Sequence, residues 1–166
     1  MKAYDTAAAR DREAARFREL RSLRAVPALL DGRLELEWTE AEERRVHALV
    51  LEWVGPPGAG GPQCAPAGGG RAGLPREALE QMRKALGAMH GLGVTHGDVR
   101  GPNLAWDPVA ERAFVLDLSH AVARGEAASA AEFAAECRTD LQRVAELMED
   151  EARARARAGP PTRLVR

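Results

Sequence analysis

Residues 96–117 constrain this chain more than any other stretch, because they set two carboxylates and an amide, Asp98, Asn103 and Asp117, on a path that has to turn twice. His96-Gly97-Asp98 opens a bend that Gly101-Pro102 prolongs. Two short apolar runs, 103–106 and 113–116, flank the polar stretch 107–112 and predict a hairpin. Such a hairpin returns Asp117 to the neighbourhood of Asn103.

The order H-x-D, four residues, Asn, then a hairpin ending in Asp resembles the catalytic loop and metal-binding aspartate of the protein-kinase-like fold. The resemblance implies an ATP-dependent phosphotransferase acting on a hydroxyl acceptor, either a protein Ser/Thr or a small alcohol. Asp98 would orient the acceptor hydroxyl and take its proton. Asn103 and Asp117 would offer hard oxygen ligands to Mg²⁺, which is usually held by one or two carboxylates together with nucleotide phosphates. Those residue types suit a loose, highly charged transition state, where catalysis consists of alignment and charge neutralisation. Three positions depart from the common protein-kinase pattern: Gly97 replaces the Arg of H-R-D, Asp117-Leu118-Ser119 stands for D-F-G, and Arg100 replaces a Lys. An H-G-D loop looks more like the aminoglycoside and choline phosphotransferases and the divergent kinase-like proteins of fungi.

The upstream half can be laid on the same pattern. Residues 6–23 are rich in Ala, Arg, Glu and Leu, with Ala14, Phe17 and Leu20 recurring every three residues as on one helix face. Pro27 and Asp31-Gly32 break that pattern. Leu34, Leu36 and Trp38 then alternate with Glu35 and Glu37 as in a half-buried strand, and residues 46–51 read as a largely buried one, giving an antiparallel pair. Under the resemblance the helix is the regulatory one whose Glu13, with Glu19 as substitute, pairs with the phosphate-holding lysine, here Lys2. The end of the second strand, 51–54, resembles the hinge between lobes. There the Glu52 carbonyl and the Val54 backbone would bond adenine, with Leu51 guarding the pocket behind.

The implied fold is α+β and protein-kinase-like, with a reduced N-lobe (helix plus antiparallel hairpin) and a mainly helical C-lobe. Residues 1–54 make the partial N-lobe and hinge, and 55–73 a flexible connection whose eight glycines and four prolines are costly to order. Residues 74–158 make the C-lobe and 159–166 a tail. In the C-lobe a helix starts near Pro75, with Leu79, Met82 and Leu86 as its apolar stripe up to Gly91. A second runs over 127–157, where Phe133, Cys137, Leu141, Val144 and Met148 step by three or four. Under the resemblance, Asp140 on that helix would brace the catalytic-like loop, as an aspartate on the following helix does in related folds. The basic run 153–157 suits the negative end of a helix.

At 166 residues the chain is short for a two-lobed kinase. No glycine-rich loop precedes Lys2, and the glycines at 55–73 lack both G-x-G-x-x-G and a P-loop ending. A truncated or degenerate pseudokinase acting as a binding or scaffold module is therefore the alternative reading. A third is a metal hydrolase built from His96, Asp98, Asp117 and His120. The formal net charge of −1 gives no general attraction to nucleic acid or membrane, and no apolar run approaches the ~20 residues of a bilayer-spanning helix. The two cysteines, Cys64 and Cys137, form no disulfide framework. Together these features lead to the expectation of a soluble cytoplasmic protein.

Overall fold

The computed structural model describes residues 2–38, 44–52 and 74–158. Val54, the connection at 55–73 and the tail at 159–166 lie outside the described residues. The fold is α+β, with two small antiparallel sheets and three α-helices.

The first sheet has three strands, β1 (Lys2–Tyr4), β2 (Leu29–Trp38) and β3 (Arg44–Leu51), in the order β1-β3-β2. β1 adds to the expected hairpin through three rungs, Lys2 opposite Leu49, Ala3 opposite Ala48 and Tyr4 opposite His47. β2 begins at Leu29, ahead of the Asp31-Gly32 pair expected to precede it. The strand passes through that pair by shifting register between Leu29 and Asp31 and again between Asp31 and Leu34. A glycine tolerates such an irregularity where a residue with a side chain would resist it.

Helix α1 (Ala7–Glu19) is capped by Thr6, whose Oγ1 accepts the Ala9 N–H at 3.2 Å. It stops at Glu19, short of the expected residue 23, and unwinds into tight turns closed by Leu20 O to Leu23 N–H and Leu23 O to Val26 N–H. Those turns still carry Leu20 and Val26 into the core. The buried face of α1 mixes Ala14 and Phe17 with Arg10, Glu13 and Arg16. An apolar period of three therefore marked only part of the face that packs.

In the second half, α2 (Arg76–Gly91) starts just after Pro75, which serves as its N-cap, and buries Leu79, Met82, Leu86 and Met89. β4 (Leu104–Asp107) and β5 (Arg112–Val115) form the expected hairpin in unbroken register from Leu104–Val115 to Asp107–Arg112. Asp107 Oδ1 closes its turn on the N–H groups of Val109 and Ala110. Gln81 of α2 pins the hairpin from below: its Nε2 donates to Glu111 O and its Oε1 accepts the Ala113 N–H, both at 3.0 Å. α3 (Ala130–Ala158) packs on α2, with Asp140 meeting His90 and Val144 buried in the core that α2 also lines.

One core joins the two halves. Phe17, Leu20 and Leu49 from the first half share a cluster with Met82, Leu86, Leu104, Val115, Leu118 and Val144 from the second. No described helix is long and apolar enough to cross a membrane.

Leu86→Ala, at a fully buried position, should cost about 2–5 kcal/mol in urea unfolding. Leu92→Ala, at a position 50% exposed, should cost less than about 0.5 kcal/mol.

Candidate functional site

Strand β1 and helix α1 bring Lys2 and Glu13 together, and the chain beyond β5 brings Asp117 to them. Lys2 Nζ donates to Glu13 Oε2 at 2.8 Å and Oε1 at 3.0 Å, and to Asp117 Oδ1 at 2.5 Å. Glu13 is 1% exposed. Its Oε2 also accepts the Tyr4 hydroxyl, and its Oε1 accepts the Leu118 N–H at 2.8 Å. Tyr4 shares the Lys2 face because alternate strand residues point the same way. Burial first, then the hydrogen bond to Glu13, pushes the Tyr4 hydroxyl well above its usual range, so it remains a donor. Glu19, the substitute for Glu13, instead holds Arg16 at 2.6 Å. The last turn of α1 carries it away from Lys2.

Asp117 has a left-handed backbone, φ 59°. Such a conformation is uncommon outside glycine and tends to be retained where the surroundings enforce it. Burial alone would raise its carboxyl, but the hydrogen bonds from Lys2 and Ser119 and the Lys2 charge outweigh that and hold it at about 2. Lys2 and the Ser119 N–H and hydroxyl all donate to Oδ1. Oδ2 accepts no hydrogen bond from a described residue.

The H-G-D loop is fixed from two sides. His96 lies wholly buried, its Nε2 donating to Leu116 O at 2.8 Å while its Nδ1 accepts the Asp98 N–H at 3.2 Å. Those partners place the proton on Nε2, and burial depresses the pKa of the ring, keeping it neutral. With both ring nitrogens engaged, His96 has no lone pair for a metal, which removes the hydrolase set of His96, Asp98, Asp117 and His120. Among the described residues no three of His, Cys, Asp and Glu are grouped so as to share a metal ion. From α3, Asp140, 2% exposed, accepts the N–H groups of His96 at 2.7 Å and Gly97 at 3.0 Å, and contacts His90 Nε2 at 2.9 Å. The brace expected from Asp140 is present, and His90 of α2 is its unforeseen third partner.

Gly97 explains one departure from H-R-D. Its φ is +77°, and a Cβ there would overlap the His120 carbonyl oxygen. Only glycine fits.

Asn103 meets Asp98 directly, its Nδ2 donating to both the main-chain O and Oδ2 of Asp98 at 2.8 Å. Arg100 Nε donates to the same Oδ2 at 2.8 Å. Asp98 Oδ1 and Asn103 Oδ1 accept no hydrogen bond from a described residue. The Asn103 carbonyl accepts the Leu116 N–H at 2.8 Å, so the Asp98–Asn103 pair and the Lys2–Glu13–Asp117 cluster are joined by one main-chain rung. The donor set left over, one carboxylate oxygen of Asp117 and one amide oxygen of Asn103, suits a hard cation that keeps most of its water, such as Mg²⁺. Too few described ligands converge for a closed zinc site.

At the segment expected to be a hinge, the Glu52 N–H donates to Ala28 O at 2.8 Å, while its side chain turns to the Ala28 N–H at 3.1 Å and to Arg112. The neighbouring Val54 lies outside the described residues. No protein-family model matches the chain, and no curated protein matches it.

Two outcomes follow from this geometry. Gly97→Ala should destabilise the protein by more than about 1 kcal/mol, the left-handed penalty alone, as read by chemical denaturation. Because Asp117 is depressed from 3.8 to about 2, its contribution is complete above pH ~4 and disappears as the pH falls toward 2. Asp117→Asn should therefore flatten the stability–pH curve over that window, measured by urea unfolding at successive pH values.

Proposed function

We propose that the chain is an ATP-dependent phosphotransferase of the protein-kinase-like superfamily, transferring the γ-phosphoryl group to a hydroxyl acceptor. The observation that carries this reading is the Lys2–Glu13–Asp117 cluster, assembled from residues 115 positions apart. A buried Glu that grips a half-exposed Lys beside a depressed carboxylate is the set that phosphate positioning asks for. In this reading residues 1–54 and 74–158 correspond to the two lobes.

Lys2, oriented by Glu13, would hold the nucleotide phosphates as a point charge. Asp117 Oδ2 and Asn103 Oδ1 would hold Mg²⁺, which supplies neutralisation of the charge on the transferring group. Asp98 Oδ1 would receive the acceptor proton as the new P–O bond forms and the bond to the ADP leaving group breaks. Arg100 and Asn103 fix the other carboxylate oxygen, leaving Oδ1 aimed by default. Neutral His96 keeps the loop in place without adding charge to it, while the Asp140 carboxylate holds the loop through the His96 and Gly97 N–H groups.

Mg·ATP should stabilise the protein in thermal-shift titration, by about 2.7 kcal/mol at 100 times Kd. Asp98→Asn should keep that stabilisation and lose turnover, whereas Asp117→Ala should lose the magnesium-dependent part. Stabilisation without turnover in the unaltered chain would favour a pseudokinase-like binding module. An unaltered chain that Mg·ATP leaves unmoved would sink the nucleotide reading.

A further inference from the structure

A cavity of about 500 Å³ opens between the end of α1, the turns that follow it, the start of β2 and the first residue of β5. None of Lys2, Glu13, Asp98, Asn103 or Asp117 lines it. Its walls carry four guanidiniums, Arg18, Arg21, Arg24 and Arg112, against the single carboxylate Glu52. Its floor is apolar, with Phe17, Val26 and Leu29.

Local structure does not account for this charge. Arg18 lies in the last turn of α1, where a cation favours the helix dipole, but Arg21 and Arg24 fall beyond the helix and Arg112 belongs to another element. Arg18, Arg21 and Arg24 make no ion pair with a described residue. Arg112 is held in place by stacking on Phe114, its guanidinium carbon 4.1 Å from the ring centre. Its Nε is buried with no hydrogen-bond partner among the described residues, and its Nη2 reaches Glu52 only at 3.6 Å. Glu52 is partly spent on the Ala28 N–H. Among the described lining residues Glu52 is the only acid.

Guanidiniums bind phosphoryl oxygens through paired N–H donors, and one carboxylate ligand would leave most of this charge unmatched. A cavity of this size accommodates a small organic molecule, and its floor asks for an apolar body. We propose that the cavity binds a small organic diphosphate, with its anion held by Arg18, Arg21, Arg24 and Arg112 and its apolar part lying on Phe17, Val26 and Leu29.

The test is calorimetric titration of the full chain, without divalent cations, using inorganic pyrophosphate and isopentenyl diphosphate, the same anion with a short apolar tail. Both should saturate, the tailed probe several-fold more tightly. The exposed double substitution Arg21→Glu/Arg24→Glu should weaken both at least tenfold, and Arg24→Gln alone should weaken them measurably, with circular dichroism unchanged. Lys2→Met should leave both affinities unaltered, which separates this cavity from the proposed catalytic cleft. Failure to saturate, equal binding by the Arg21/Arg24 variants, or loss in Lys2→Met with retention in those variants would overturn the proposal. Equal affinity for the two probes would overturn the assigned class, because the apolar floor would then contribute nothing.

Discussion

A carboxylate taken out of water must find donors, and Glu13 finds them on two separate stretches of chain. Lys2 and Tyr4 reach it from β1, and the Leu118 main chain reaches it from beyond β5. Removing one partner of such a buried pair commonly costs ~3–5 kcal/mol, because the other charge is left without compensation. Helix α1, the edge of the first sheet and the segment after the second hairpin are thereby tied to a single point. The apolar cluster beneath is compatible with several small displacements of α1, whereas directed bonds to two oxygens permit far fewer.

Charge also sets how the second half meets the first. Arg16, three residues beyond Glu13, is almost wholly buried and grips Glu126, whose Oε2 in turn accepts the Ala123 N–H at 3.0 Å. The stretch after Asp117 is consequently bound to α1 by side chains as well as by Leu118. Asp140 acts from the other side, holding the backbone of His96 and Gly97 to α3. Asp117 adopts its left-handed backbone between these two anchors. Strain of that kind survives because the neighbours over-determine it.

Much of the local arrangement could be read in the chain. The pairing of Asn103 with Asp98 and the return of the hairpin depend on residues within about twenty positions, and turn chemistry together with alternation specifies such contacts directly. The α2 stripe was equally plain because Leu79, Met82 and Leu86 have no polar competitor on that face. The partner of Lys2 was harder to identify. Glu13 and Glu19 both lie on α1, and choosing between them requires knowing which turn faces β1, a long-range fact that burial of Arg10, Glu13 and Arg16 hides from any apolar count. Tyr4 could have been found from its i+2 spacing to Lys2. The His90–Asp140 contact spans fifty positions and left no local trace, and Gln81 likewise gives no sign of bridging a hairpin thirty residues away.

Among the described residues β1 meets β3 through three rungs, which bears on any molecule that engages Lys2. Three rungs to β3 are a small cooperative unit, and such units open at free energies well below that of global unfolding. Each opening withdraws the ammonium from its carboxylates while leaving the Asp98 loop intact, since that loop is anchored to α2 and α3. Observed affinity would then equal the intrinsic affinity scaled by the fraction of time the strand is paired. Anything that lengthens or shields this edge would tighten binding without touching the ligand.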